Sequence, residues 1–160
     1  MENLAEVRDR HAGKYLTFKL ASEGYGIHIL TVKEIIGLIP FTPIPRAPDF
    51  IKGVINLRGK VIPIIDLRMK FGIEARDYDD RTCIVVVEVD TGRGRYVMGL
   101  IVDAVDEVTN VKAEDTEDAP NFGVDLDTRF IKAIAKTPAG VKILLDIAKV
   151  LSEEDYLSLN

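Results

Sequence analysis

The sequence predicts a mainly β protein built as two small five-stranded barrels packed together, with short helices including one at the C-terminus. Three observations carry that expectation. Isoleucine and valine, at 18 and 16 residues, outnumber leucine and alanine at 14 and 12, a weighting toward branched side chains that suit a pleated sheet. Apolar residues alternate with polar ones in short runs bounded by turn signals. Two stretches of the chain also repeat earlier ones at a nearly constant spacing. With 160 residues, of which 47% are apolar, the chain can bury one core of ordinary size or two small halves sharing one.

Residues 1–13 lack periodicity and carry Glu2, Glu6, Arg8, Asp9 and Arg10, which predicts a mobile arm ahead of the fold. Leu16, Phe18 and Leu20 then alternate with Thr17 and Lys19, Glu23-Gly24 supplies a turn, and Ile27 and Ile29 continue on one face, which reads as a hairpin. At Leu30 and Val32 the parity slips. A bulge or a change of sheet keeps both apolar sets buried, and the alternative is that one of these residues faces a partner. Four prolines between Pro40 and Pro48 exclude a central strand and predict an extended connector. Gly53 to Leu57 and Lys60 to Ile65 flank Arg58-Gly59 as a tight hairpin, after which Asp66 caps a short helix that Gly72 ends. A second half opens at Thr82 with a hairpin whose turn is Thr91 to Gly94. Residues 103–127, with nine acids and one lysine, read as a solvated connector. The last stretch predicts a helix and tail over 152–160, with Ser152 and Asp155 placed as a capping box.

The repeat has two parts. Residues 26–35 align without gaps on 99–108, an offset of 73, while Phe50-Ile51-Lys52 followed by Asp66 matches Phe130-Ile131-Lys132 followed by Asp146, an offset of 80. Halves of about 15–72 and 82–151 follow, with the seven extra residues in the acidic connector. Closure of each half into a barrel would remove exposed sheet edges.

The net charge of -5 leaves no uniformly basic surface for a nucleic-acid backbone. No apolar run reaches the roughly 18 residues of a membrane span, and the N-terminus has no apolar signal core, so a cytosolic protein is expected without direct membrane insertion. Residues 33–72 hold seven bases and three acids against that acidic background, a contrast suited to oriented docking on other proteins. Chemistry is scarce. His11 and His28 form no metal-binding spacing, Gly92-Arg93-Gly94 lies between two strands and not before a helix, and the acidic stretch lacks the glycine and terminal glutamate of a calcium loop. Cys83, the one cysteine, reads as a reduced core thiol. Arg58, at the tip of a rigid turn, is a candidate interface anchor.

The strings YGIHILTVKEIIG and FIKGVINLRGKVIPIIDLRMKFG, continued by GLIVDAVDEV and KILLDIAKVL, resemble the CheW family of chemotaxis coupling proteins over roughly residues 14–155. The resemblance implies two SH3- or OB-like barrels around a shared interface. It also implies a non-catalytic adaptor, freestanding and cytoplasmic, that couples the cytoplasmic tips of transmembrane chemoreceptors to the regulatory domain of the CheA histidine kinase. No cofactor is implied. Val32, Glu34, Gly53, Arg58, Ile84, Gly99, Val105 and Val108 fall at family positions sensitive to partner contact, and a groove lined by Ile29, Val32 and Val105 suits an apolar receptor helix. Ile84 stands where valine is commoner, and Ala133 where some members carry glycine. Two other readings are weighed against it: a nucleic-acid-binding barrel, which needs exposed aromatic residues among bases, and a small hydrolase, which needs two carboxylates around an activated water.

Overall fold

The structure, a computed structural model, describes residues 11–118 and 129–158; most of the expected N-terminal arm and the end of the acidic stretch lie outside the described residues. The strands are β1 (Gly13–Leu20), β2 (Glu23–His28), β3 (Val32–Gly37), β4 (Ile51–Leu57), β5 (Lys60–Asp66), β6 (Cys83–Asp90), β7 (Arg95–Val102), β8 (Ala104–Val111), β9 (Thr116–Asp118), β10 (Ile131–Thr137) and β11 (Gly140–Leu145). Two short helices are α1 (Leu67–Lys70) and α2 (Glu153–Ser158). One sheet has six strands in the order β8-β1-β2-β11-β10-β9, and the other five in the order β3-β6-β7-β5-β4. The fold is mainly β, as the composition requires.

The duplication extends to the hydrogen-bond ladders. Gly53 pairs Ile64 and Ile55 pairs Ile62 in β4–β5, and eighty residues later Ala133 pairs Leu144 and Ala135 pairs Lys142 in β10–β11, with the same register shift after Ile51 and Ile131. The backbone N–H of Asp66 donates to the Phe50 carbonyl at 2.8 Å, and that of Asp146 to Phe130 at 2.8 Å. Both aspartates then cap the turn they begin, through Met69 N–H and Ala148 N–H. Likewise β3 bulges against β6 where β8 bulges against β1.

The repeat units of the sequence are nevertheless not the sheets. After β2 the chain leaves the six-stranded sheet at a 3-10 turn, Ile29–Thr31, and enters the five-stranded one as β3. After β7 it crosses back at Asp103 and joins β1 as β8. The five-stranded sheet is thus drawn from residues 32–102 and the six-stranded one from both ends of the chain, so each repeat of the sequence contributes strands to both sheets. The parity slip at Leu30 is this change of sheet. The acidic stretch is corrected too, because its first half forms edge strands β8 and β9.

Alternation then accounts for three cores. Leu16, Phe18, Leu20 and Ile27 face Val85, Val87, Met98 and Leu100 between the sheets. The other face of the five-stranded sheet encloses Ile55, Ile62, Ile64, Ile84, Val86 and Ile101, and that of the six-stranded sheet Tyr15, Val111, Ala133, Ala135 and Leu144. A strand buried on both faces needs a continuous apolar run, which is why Cys83 to Val87 does not alternate. Each such large side chain removed from water contributes about 1.5–3 kcal/mol. The C-terminal helix is too short to stand alone, and it docks: the Tyr156 hydroxyl donates to the Ala148 carbonyl at 2.7 Å, and Lys70 reaches Asp155 at 3.1 Å. Ser152 and Asp155 exchange the two capping-box bonds the sequence predicts. Among the described residues no helix is long and apolar enough to cross a membrane.

Candidate functional site

The two crossovers between the sheets set the candidate surface. At the first, Ile29 and Val32 are half-buried against the shared core, as is Val105 beside the second, so all three expected groove residues pack on one apolar cluster. Between Ile29 and Val32 the turn lifts Leu30 into solvent, where it is 89% exposed. A leucine so placed gains nothing for the fold.

Glu34 follows on edge strand β3. Arg58 sits across the same sheet in the turn between β4 and β5, where it takes φ 51 and Gly59 φ 84, the paired positive values of a tight hairpin turn. The Asn56 side-chain oxygen accepts from Gly59 N–H at 2.9 Å and stiffens it. Arg58 folds back and donates from both terminal nitrogens to the two Glu34 oxygens. Those bonds and the guanidinium charge hold the Glu34 carboxyl below its usual range, and Glu34 in turn raises Arg58. Because β3 and β4 are opposite edges of the sheet, the pair spans a curled sheet and fixes a planar, charged feature on its rim.

Three of the expected contact residues have no surface to offer. Ile84 is fully buried. Gly99 is buried beside it, and a Cβ there would lie 2.6 Å from both Ile64 Cδ1 and Ile84 Cγ2. Gly53 has φ 152, and a Cβ would fall 2.2 Å from the Thr42 carbonyl oxygen, because the proline-rich connector bridges Thr42 to Val54 directly above it. Any effect of substituting these three on a partner therefore acts through packing. Val108 is exposed on β8.

Sequence reasoning missed three further exposed apolar residues, Ile35, Val61 and Val141. The repeat carried the signal: Ile35 is the counterpart of Val108 at the offset of 73, and Val61 that of Val141 at the offset of 80. Each sheet thus presents the same two apolar positions, one on an edge strand and one beside a hairpin turn.

The other chemical readings find little to build on. Among the described residues no aromatic side chain is exposed, and Phe18, Tyr25, Phe71 and Phe130 instead follow one another through ring contacts over the shared core. Asp106 and Glu107 share one hollow, but both are exposed, and neither has the enclosed setting an acid–base pair needs. Cys83 is half-buried, and burial raises its thiol. The His28 ring lies 4.7 Å from that of Tyr15 with the planes tilted by 41°, and burial first and Lys132 second lower its pKa.

Comparison with known proteins agrees with this architecture. The family model for the CheW-like domain matches residues 14–155. The chain is 43% identical over 142 residues to the chemotaxis protein CheW of Klebsiella aerogenes, covering 89% of this chain and 83% of that protein. It is 32% identical to CheW of Bacillus subtilis, covering 91% and 90%. Among solved structures, the scaffolding protein TtCheW of Thermoanaerobacter tengcongensis superposes with a TM-score of 0.79 at 38% identity, over 90% of this chain and 95% of that one.

Proposed function

The chain belongs to the CheW-like family, and from that premise we propose that it is a non-catalytic adaptor coupling the cytoplasmic tips of chemoreceptors to the CheA histidine kinase. The observation that carries the reading is the paired apolar exposure, Ile35 with Val61 on one sheet and Val108 with Val141 on the other. A fold has no use for four such residues at equivalent places, whereas an adaptor needs more than one docking face. The groove of Ile29, Val32 and Val105, with Leu30 at its lip, receives an apolar receptor helix. The sheet edges and the Arg58–Glu34 rim are left for the kinase regulatory domain.

Such a body works by simultaneous, separate contacts. A shared core holds the faces at fixed geometry, and tethering raises the kinase concentration at a cytoplasmic receptor array. Signals pass because receptor packing biases active against inactive kinase, since a coupler contacting both states equally shifts nothing. Phosphoryl transfer belongs to the kinase.

Co-sedimentation with receptor-containing membranes and CheA tests this. Wild-type protein is expected to increase the kinase recovered with the membranes. Arg58→Ala is expected to keep its fold and recover less. Val32→Asp or Val105→Asp should lose receptor binding, through a carboxylate desolvated at the interface. Equal kinase recovery with and without the protein would overturn the proposal. Unfolding of the two valine variants would instead reassign those residues to the core.

A further inference from the structure

The hairpins β4–β5 and β10–β11 share length and register, yet they turn differently. Leu57 pairs Lys60 across Arg58-Gly59, and Thr137 pairs Gly140 across Pro138-Ala139. The ring of Pro138 fixes its φ at a negative value, and Ala139 follows without a positive one, whereas Arg58 and Gly59 both take positive φ. Glycine, asparagine or aspartate ordinarily fills the first of those two places, because a Cβ in the left-handed conformation crowds the next carbonyl. An arginine kept there points to a use for its side chain.

Holding that side chain in one place is the difficulty. The Arg58 side chain is 70% exposed, and an ion pair so exposed contributes little once the rotamer freedom of a long side chain is set against it. The two bonds to Glu34 form together when the backbone delivers the guanidinium already aligned with the carboxylate. The Leu57–Lys60 pair closes the turn and leaves the Gly59 N–H outside the ladder. That N–H donates to Asn56 Oδ1 at 2.9 Å, which ties the strand end to the far side of the turn. In the other hairpin Lys136 stands at the place of Asn56 and reaches Glu117 on β9 at 3.2 Å instead, and Glu107, the counterpart of Glu34, has a proline at 138 where Arg58 would be. The asparagine, the left-handed arginine and the ion pair thus occur together in one copy and are missing together from the other.

We propose that Asn56 is a positioning residue for the kinase contact: its side-chain oxygen fixes the Arg58-Gly59 turn, so that the guanidinium meets the kinase regulatory domain already ordered against Glu34. The proposal rests on the adaptor reading, which leaves this rim to the kinase, and names the residue that preorganises it. Ordering completed within the free chain does not oppose binding a second time. Asn56 acts through Arg58, without touching the partner itself.

The test compares the full chain with Asn56→Ala, Arg58→Ala and the double variant, by titration with the purified kinase regulatory domain and by NMR titration of the Glu34 carboxyl in the free chain. Asn56 is exposed, so Asn56→Ala is expected to fold with a thermal midpoint close to wild type. It should bind the kinase domain about five-fold more weakly, the effect of one lost hydrogen bond. The Glu34 carboxyl, held low first by its bonds to Arg58, should rise toward its usual range in that variant. The double variant should bind no more weakly than Arg58→Ala, because the two residues act as a unit. Wild-type affinity in Asn56→Ala overturns the proposal, as does a loss that adds to that of Arg58→Ala, or a Glu34 titration that Asn56→Ala leaves in place. Wild-type affinity in Arg58→Ala overturns it by another route, since the rim then lies outside the kinase contact and that part of the adaptor reading falls with it.

Discussion

At one crossover between the sheets the chain is clamped, and at the other it is open. Asp103, where β7 gives way to β8, is buried and accepts from Ala21 N–H at 2.7 Å and from Arg68 Nη1 at 2.6 Å. Its own N–H donates to the Lys19 carbonyl at 3.0 Å. The counterpart at the offset of 73 is Leu30, almost wholly in solvent. One backbone path thus carries two different jobs. The clamped crossover ties the β1–β2 turn to α1 and fixes the sheets relative to each other, while the open one is free to meet something else.

The same division runs through the sheets. The five-stranded sheet encloses isoleucines and valines and closes its rim with Arg58 and Glu34; the six-stranded sheet encloses two alanines and a lysine and leaves Glu107 unpaired among the described residues. Backbone register is what the duplication preserves, down to its bulges. Side chains are where the copies diverge.

Breaking the clamp should have the largest effect. Asp103→Ala leaves the half-buried Arg68 without its carboxylate and Ala21 N–H without its acceptor, and is expected to cost about 3 kcal/mol, whereas Leu30→Ala should stay within about 0.5 kcal/mol of wild type. Urea titration of both variants reads the contrast, and similar losses would erase it. Next comes the glycine under the connector. Gly53→Ala drives a methyl into the Thr42 carbonyl and should cost about 3 kcal/mol, while Ala133→Gly at the counterpart position should cost about 1 kcal/mol. There the connector's single bridge is replaced by β9, which pairs Asp118 with Ala133 and leaves room for a Cβ.

A smaller effect separates the sheets by pH. In the six-stranded sheet burial and then Lys132 hold the His28 pKa below 6.5, and the tilted Tyr15 ring packs against it. The unfolded chain therefore takes up a proton first as the pH falls through 6.5, and stability declines below that value. Denaturant midpoints from about pH 8 to about pH 5 should fall in wild type and flatten in His28→Gln. An identical slope in the variant would assign the pH dependence elsewhere.

Much of this was legible in the sequence because it depends on neighbours along the chain. Hairpins, the Asp66 cap, the Ser152–Asp155 box and the repeat itself all follow from local spacing. The parity slip at Leu30 leaves a change of sheet open, but which strands the repeats exchange is not legible, since periodicity gives the faces of a strand and says nothing of which sheet it joins. Nor was the Arg58–Glu34 pair, which exists because a curled sheet brings its opposite edges together. Ile84, Gly53 and Gly99 stand among the expected contact residues on resemblance alone, whereas the fold puts each beneath other atoms.

Whether the faces are separate can be measured directly. With the chain saturated by a receptor cytoplasmic fragment, titration of the kinase regulatory domain should give a dissociation constant no weaker than without the fragment, and one complex holding all three. Displacement of either partner by the other would show a single shared surface and contradict the account.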